Sequence, residues 1–422
     1  MMRRAMKLLP KGLVFGSASL GLTYVYKNRI NQEIKNRQPL AAYVSSQCEG
    51  GSNINYNSTK KTDKKPREIS IDTPWGKMAG KHWPRRTETS KTPENNSDKS
   101  SKSIDKNLPF LCFHGWLDNA GTFDRLIPLI QKTHPDAEFY VFDWPGHGQS
   151  DPRPSGTYVN SLALLYDIGR VVKQLGLEKT GFNGLGHSLG GNALTQYMCA
   201  YPDQVKSMIC LDVLGFHIPE DRDAKSLRSS VTSALRLESK TSKPREYSYQ
   251  SAKDRFLQGS GSIPHTVDAH AAEVMMKRAL KVCEGKDEKD DCWVWTRDLK
   301  NTLPAFPAFT YEVATGIISD YNKTQTNCNY LHLMADDMAW YRLFSKLWTK
   351  LGIDETRWSQ VKTLISEFSQ NPNHKWQMVE GNHHFHLNNP ECCVERINSW
   401  LADPEKVEST LSFEELKRAW QK

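Results

Sequence analysis

A serine held between two glycines, Gly186-His187-Ser188-Leu189-Gly190, is the stretch of this chain whose residue types could do covalent chemistry. A serine hydroxyl is a weak nucleophile at neutral pH. It needs a base within hydrogen-bond reach, a carboxylate to orient that base, and donors for the oxygen that turns negative. Before the motif, Thr180 to Leu185 is short enough for a strand; after it, Asn192 to Tyr201 carries helix formers with apolar residues at helical spacing. Ser188 therefore belongs on a strand-to-helix corner. Such a corner strains the nucleophile's backbone and brings strand and helix so close that a side chain two positions either side would clash. Gly186 and Gly190 meet that demand.

Other strands must place the partners of such a serine. The apolar run Leu108 to Phe113 leads into His114-Gly115-Trp116-Leu117-Asp118-Asn119, and Glu138 to Phe142 leads into Asp143-Trp144-Pro145-Gly146-His147-Gly148-Gln149-Ser150. Near the end, Trp376 to Val379 leads into Gly381-Asn382-His383-His384-Phe385-His386-Leu387-Asn388-Asn389-Pro390. In order and spacing these blocks resemble the α/β-hydrolase superfamily, over most of Arg67 to Leu401. The blocks at His114, Asp143, Gly186 and Gly381, with Trp293 to Asp298 as a less specific fifth, are similar to its serine hydrolase-like, or kraken-type, branch. The resemblance implies an α/β fold, a mostly parallel doubly wound sheet with a helical cap inserted after the sixth strand.

It also implies roles. The base of this superfamily follows the last strand, about seven residues before a proline that opens the final helix, which selects His383, with Pro390. His384 and His386 read as packing or surface residues, and no cysteine or carboxylate at ligand spacing completes a metal site with the three. The acid usually follows a strand such as Tyr330 to Met334, here continued by Ala335-Asp336-Asp337. Asp337 is preferred to Asp336, since successive side chains point to opposite sides. Met334 stands where glycine is usual, however, and Asp212, at the end of the strand Val205 to Leu211, is the position some branches use; the choice stays open. Two backbone amides would hold the oxyanion, those of Leu189 and Trp116. His114 reads equally as a brace for that loop or as a buried histidine. The Asp143 to Ser150 turn reads as structural, because consecutive side chains on one turn cannot form a relay, and His187 as a packing residue facing away from the hydroxyl.

The expected activity is that of a serine hydrolase on a small-molecule acyl substrate, a carboxylic ester above all, with no metal or organic cofactor. Serine at the corner argues against dehalogenation and epoxide hydrolysis, which need a carboxylate nucleophile. The reading from another class is a catalytically idle member that binds a ligand or partner through its cap.

The 422 residues suit a catalytic core with additions. Residues 1–35 are basic with an apolar middle, and Gly12 to Tyr26 falls short of the ~20 residues that span a bilayer. This segment reads as mitochondrial targeting or a membrane anchor; failing that, the protein is cytoplasmic. Residues 36–65 form a polar linker, 66–215 the first part of the core, 216–326 the cap, and 327–422 the second part. Residues 87–107, almost free of apolar side chains, read as a disordered insert. The net charge of +8 forms no basic stripe interleaved with aromatics, which argues against nucleic acid. Nine cysteines without Cys-x-x-Cys spacing, with Cys112, Cys199 and Cys210 in apolar runs, suggest buried free thiols in a reducing compartment.

Overall fold

In the parallel strand Phe110–Phe113 every side chain is buried, as expected of a strand covered on both faces. It lies at the centre of the sheet. The computed structural model describes residues 54–56, 65–86, 104–158, 160–213, 215, 224–239, 243–259, 267–303, 311–324, 328–337 and 354–410. The basic N-terminal segment and most of the linker and polar insert lie outside them. No helix among the described residues is long and apolar enough to cross a membrane.

The strands are β1 (Ile54–Tyr56), β2 (Arg67–Thr73), β3 (Gly76–Trp83), β4 (Phe110–Phe113), β5 (Phe139–Phe142), β6 (Phe182–His187), β7 (Val205–Leu211), β8 (Leu280–Val282), β9 (Trp293–Trp295), β10 (Asn329–Ala335) and β11 (His374–Val379). The main sheet runs in the order β1-β2-β3-β5-β4-β6-β7-β10-β11. The pairs from β1 to β5 are antiparallel and all later ones parallel. Helices α1 (Leu126–Thr133), α2 (Ser161–Gln174), α3 (Leu189–Ala200), α4 (Ala224–Glu238), α5 (Tyr249–Leu257), α6 (Ala269–Ala279), α7 (Tyr311–Lys323), α8 (Asp354–Ser369) and α9 (Glu391–Ala402) are joined by shorter turns.

Two apolar layers sandwich the sheet. On one face Ile168, Val172, Leu194 and Met198 pack with Phe113, Phe142 and Met208; on the other Phe123, Ile127, Ile130, Ile397 and Trp400 pack with Phe110, Val141 and Leu331. Both layers come from helices whose apolar residues recur every three to four positions. The strand order and the helices on both faces match the architecture implied by the resemblance. Strand β7, sixth when counting starts at β2, is the last before the cap.

The cap has its own small core, in which Phe256, Ala271, Ala272, Met275 and Met276 close over Leu387. Its far boundary differs from the one expected at residue 326. Helix α7 buries Ala314, Ile318 and Tyr321 against the main sheet layer, so it flanks the sheet. Apolar spacing identifies a helix but not the body that receives it. Cys283 and Cys292 are disulfide-bonded across the β8–β9 hairpin, a pairing that the free-thiol expectation did not contain. Cys112, Cys199 and Cys210 are free and buried as expected.

Arg278, on α6, fastens the cap to the sheet. Its guanidinium meets the fully buried Asp143 carboxylate at 2.7 Å and Glu68 at 2.6 Å, with 3% of its own side chain exposed. Removing one member of such a pair leaves a buried charge uncompensated. Arg278→Met is therefore expected to cost about 3–5 kcal/mol of stability, measured by urea unfolding; a loss below about 1 kcal/mol would show that Asp143 is satisfied by its amide donors alone.

Candidate active site

Strand β6 runs straight into Ser188, whose φ of 49° and ψ of −115° turn the chain sharply before α3 begins at Leu189. That backbone is left-handed and costly for a serine, so its surroundings must enforce it. They do so by contact. A Cβ on Gly190 would lie 2.0 Å from the Phe113 carbonyl oxygen, and one on Gly186 would lie 2.4 Å from the Gly191 backbone. The Ser188 amide donates to the Leu211 carbonyl at 3.0 Å, tying the corner to β7.

The same closeness brings the helix start against the loop after β4. The Leu189 amide is the first of α3, and the first amides of a helix lack partners within it, so they are available to an anion. In the facing loop the Asp118 amide donates to the Gly115 carbonyl at 3.2 Å, and Leu117 adopts a φ of 61°. His147 accepts from the Leu117 amide at 3.3 Å, and His114 accepts from the Trp144 amide at 3.0 Å. His114 therefore braces the loop. Burial pushes its pKa down, and drives that of His147 down to about 3, so both rings are neutral acceptors at pH 7. Trp116 is 43% exposed and its indole donates to the Asn301 carbonyl at 2.6 Å, which places the side chain against the cap.

His383 lies in the loop after β11 and is 2% exposed. Its Nδ1 donates to Asp212 Oδ2 at 2.6 Å, which leaves the lone pair on Nε2. The carboxylate set against it is thus Asp212, not the Asp337 preferred from the sequence. Asp212 directly follows β7 with a φ of 51°, and its Oδ1 accepts the Ala335 amide at 2.9 Å. Aspartate tolerates this left-handed turn better than most residues, and the turn aims the carboxylate at His383. Asp336 and Asp337 are exposed and serve the loop backbone. Asp336 Oδ1 accepts the Gly381 amide at 2.9 Å, and the Asp337 amide donates to the Gly381 carbonyl at 3.0 Å. Burial lowers the His383 pKa from its ordinary value, with the Asp212 bond and charge opposing.

His187 does more than pack. Its Nε2 meets the His383 carbonyl at 2.9 Å and its Nδ1 meets Asp118 Oδ2 at 3.1 Å. Asp118, read from sequence only as a member of a motif, and His187, read as a packing residue, are therefore part of the site's framework. No local spacing reveals this, because the partners lie 69 and 196 residues apart. Asp118, His187 and His384 also bring three metal-capable atoms within 4.8 Å of one another. The cap completes the surroundings: Asn119 donates to the Met275 carbonyl at 3.0 Å, while Met275 and Met276 are buried in its core.

A sequence profile of a family described as alpha/beta hydrolase fold matches residues 109–237. The chain is 29% identical to a serine hydrolase-like protein of Danio rerio over 81% of its own length and 91% of that protein. It is 24% identical to a serine hydrolase-like protein of Mus musculus, over 81% of this chain and 97% of that one. Among solved structures, a hypothetical protein from Pseudomonas aeruginosa PAO1 superposes with a TM-score of 0.56 at 22% identity, covering 79% of this chain and 99% of that one. A thioesterase domain from the curacin biosynthetic pathway superposes with a TM-score of 0.53 at 16% identity, covering 80% and 99%.

Proposed function

We propose that this chain, which has the α/β-hydrolase fold and is similar to serine hydrolase-like proteins, is a serine hydrolase cleaving a carboxylic ester or a related small acyl substrate through an acyl-enzyme. The observation that carries this reading is the buried 2.6 Å bond from His383 to Asp212, in a loop bonded to the residue before a serine on a strained corner. Ser188 is the nucleophile, His383 the base and Asp212 the acid; the Leu189 and Trp116 amides are the oxyanion donors.

In this reaction Ser188 Oγ bonds to the acyl carbon while His383 Nε2 takes its proton, and the carbonyl π pair moves onto oxygen, facing the two amides. Collapse expels the alcohol, which recovers the proton from His383. Water then attacks the acyl-enzyme with His383 again accepting a proton, and Ser188 leaves as the hydroxyl as the acid is released. Asp212 holds the ring in the tautomer that leaves Nε2 unprotonated and stabilises the imidazolium. The cap limits the size of the acyl group and keeps bulk water out.

The test is labelling of the folded protein with a fluorophosphonate probe, mapping of the adduct, and turnover of a chain-length series of p-nitrophenyl esters. An adduct on Ser188 with ester turnover supports the reading. A folded protein that neither labels nor turns over esters is instead a binding protein on this scaffold.

The pH profile follows from His383. The base works only when neutral, so activity is lost as pH falls through its pKa. Burial sets that pKa below the ordinary 6.5, hence the acid limb of kcat/KM is expected below pH 6.5. A limb above 7 would mean that Asp212 outweighs burial.

A further inference from the structure

The hydrolase reading uses Asp212 but not a second buried carboxylate, Asp118, which meets the histidines next to Ser188 and His383. Asp118 has 1% of its side chain exposed, and it touches all three parts of the site. Its amide closes the turn of the oxyanion loop onto Gly115. Its Oδ2 meets Nδ1 of His187, the residue before the nucleophile, at 3.1 Å, and its Oδ1 meets Nε2 of His384, the residue after the base, at 3.3 Å. His187 in turn reaches the His383 carbonyl at 2.9 Å. Gly115 leaves room for this arrangement, since a Cβ there would lie 2.8 Å from His187 Nδ1 and 2.9 Å from Asp118 Oδ2.

A carbonyl and a carboxylate are both acceptors, so the two bonds of His187 together need a proton on each ring nitrogen. Burial opposes a charged ring and drives the His187 pKa down to about 4, against the pull of Asp118. Burial likewise raises Asp118, but His384 and His187 hold it well below the usual carboxylate range. The contacts decide between these tendencies: a bare Nδ1 lone pair 3.1 Å from a carboxylate oxygen would be repulsive, whereas a proton between them gives a net-neutral buried pair. The other groups that face His187 are the rings of His383, His384 and His386, with His114 nearby.

We propose that Asp118 is a positioning residue: through His187 and His384 it locks the backbone of His383 to the nucleophile corner and the oxyanion loop, and so sets the register of base, nucleophile and oxyanion donors. This rests on the hydrolase reading. Asp212 orients the His383 ring, and Asp118 fixes the backbone on which that ring is mounted.

The experiment compares wild type, Asp118→Asn, His187→Gln and the double variant, with active sites counted by fluorophosphonate titration and esters as substrate. A small misplacement of reacting groups costs about 10²-fold, so each single variant is expected to lose about that factor in kcat per titrated site, with KM within about threefold. Because the two residues act as one unit, the double variant is expected to be no worse than the worse single one. A purely structural role would reduce the number of titrated sites and leave kcat per site unchanged, which would overturn the proposal. Multiplying losses would also overturn it, as would stoichiometric zinc in the wild type that disappears in Asp118→Asn. If the variants do not fold, ¹⁵N-histidine NMR of wild type decides, with His187 Nε2 expected to stay protonated from pH 6 to 9. An unprotonated Nε2 has no bond to give the His383 carbonyl and overturns the proposal. A folded wild type that fails to label overturns the hydrolase reading itself, a result distinct from any failure confined to the variants.

Discussion

Ser188→Ala is expected to abolish fluorophosphonate labelling and to slow ester turnover by about 10⁴- to 10⁶-fold, with thermal unfolding little changed. The size of the effect follows from the chemistry: without Oγ there is no acyl-enzyme, and only the amide donors and the binding site remain. The small effect on folding follows from the backbone. Ser188 is held in its strained turn by the hydrogen bond from its amide to the Leu211 carbonyl and by the contacts at Gly186 and Gly190, none of which uses the hydroxyl. Labelling kinetics, intact mass and kcat/KM on p-nitrophenyl esters measure it. Retention of labelling in Ser188→Ala would move the nucleophile elsewhere and sink the mechanism.

The second large effect separates three aspartates. Asp212→Asn is expected to lower kcat by about 10⁴-fold, because an amide facing His383 Nδ1 no longer enforces the tautomer with an unprotonated Nε2 and cannot balance the imidazolium. Loss of a carboxylate that opposes the effect of burial also pushes the His383 pKa lower still, so the acid limb should move down as the rate falls. Asp337→Asn and Asp336→Asn are exposed loop changes, expected to alter stability by about 0.5 kcal/mol or less and to leave the rate within about threefold. Kinetics of the three variants across pH measure this. Comparable losses in Asp212→Asn and Asp337→Asn would remove the assignment of Asp212.

The nucleophile corner was legible because its demands are local. A tight strand-to-helix turn needs glycines at Gly186 and Gly190 whatever the rest of the chain does, and the spacing of the other blocks carried the resemblance to the fold. The place of His383 after the last strand was also legible, through the resemblance and its distance from Pro390. The acid was not. Asp336, Asp337 and Asp212 all follow strand ends, and β7 and β10 are neighbours in the sheet, so chain spacing leaves each within plausible reach of His383. Met334 at the usual glycine position was a cue against Asp337, but it did not point to Asp212. The cap boundary failed similarly: the periodicity of Tyr311 to Lys323 marks a helix and says nothing about whether sheet or cap covers its apolar side.

By itself, then, the sequence determined the chemistry available: a serine on a strained corner, a histidine after the last strand, glycines where backbones cross, and apolar strands for a buried parallel sheet. These depend on side-chain volume, backbone conformation and hydrophobic period, which act over a few residues. Only the tertiary structure decided which carboxylate meets His383, that His187 and Asp118 join the loop of His383 to the other parts of the site, and that Arg278 fastens the cap to Asp143. Those contacts join residues 69 to 196 positions apart, and they are set by how the sheet's strand order and a left-handed turn at Asp212 bring buried polar groups together, where each must find a partner.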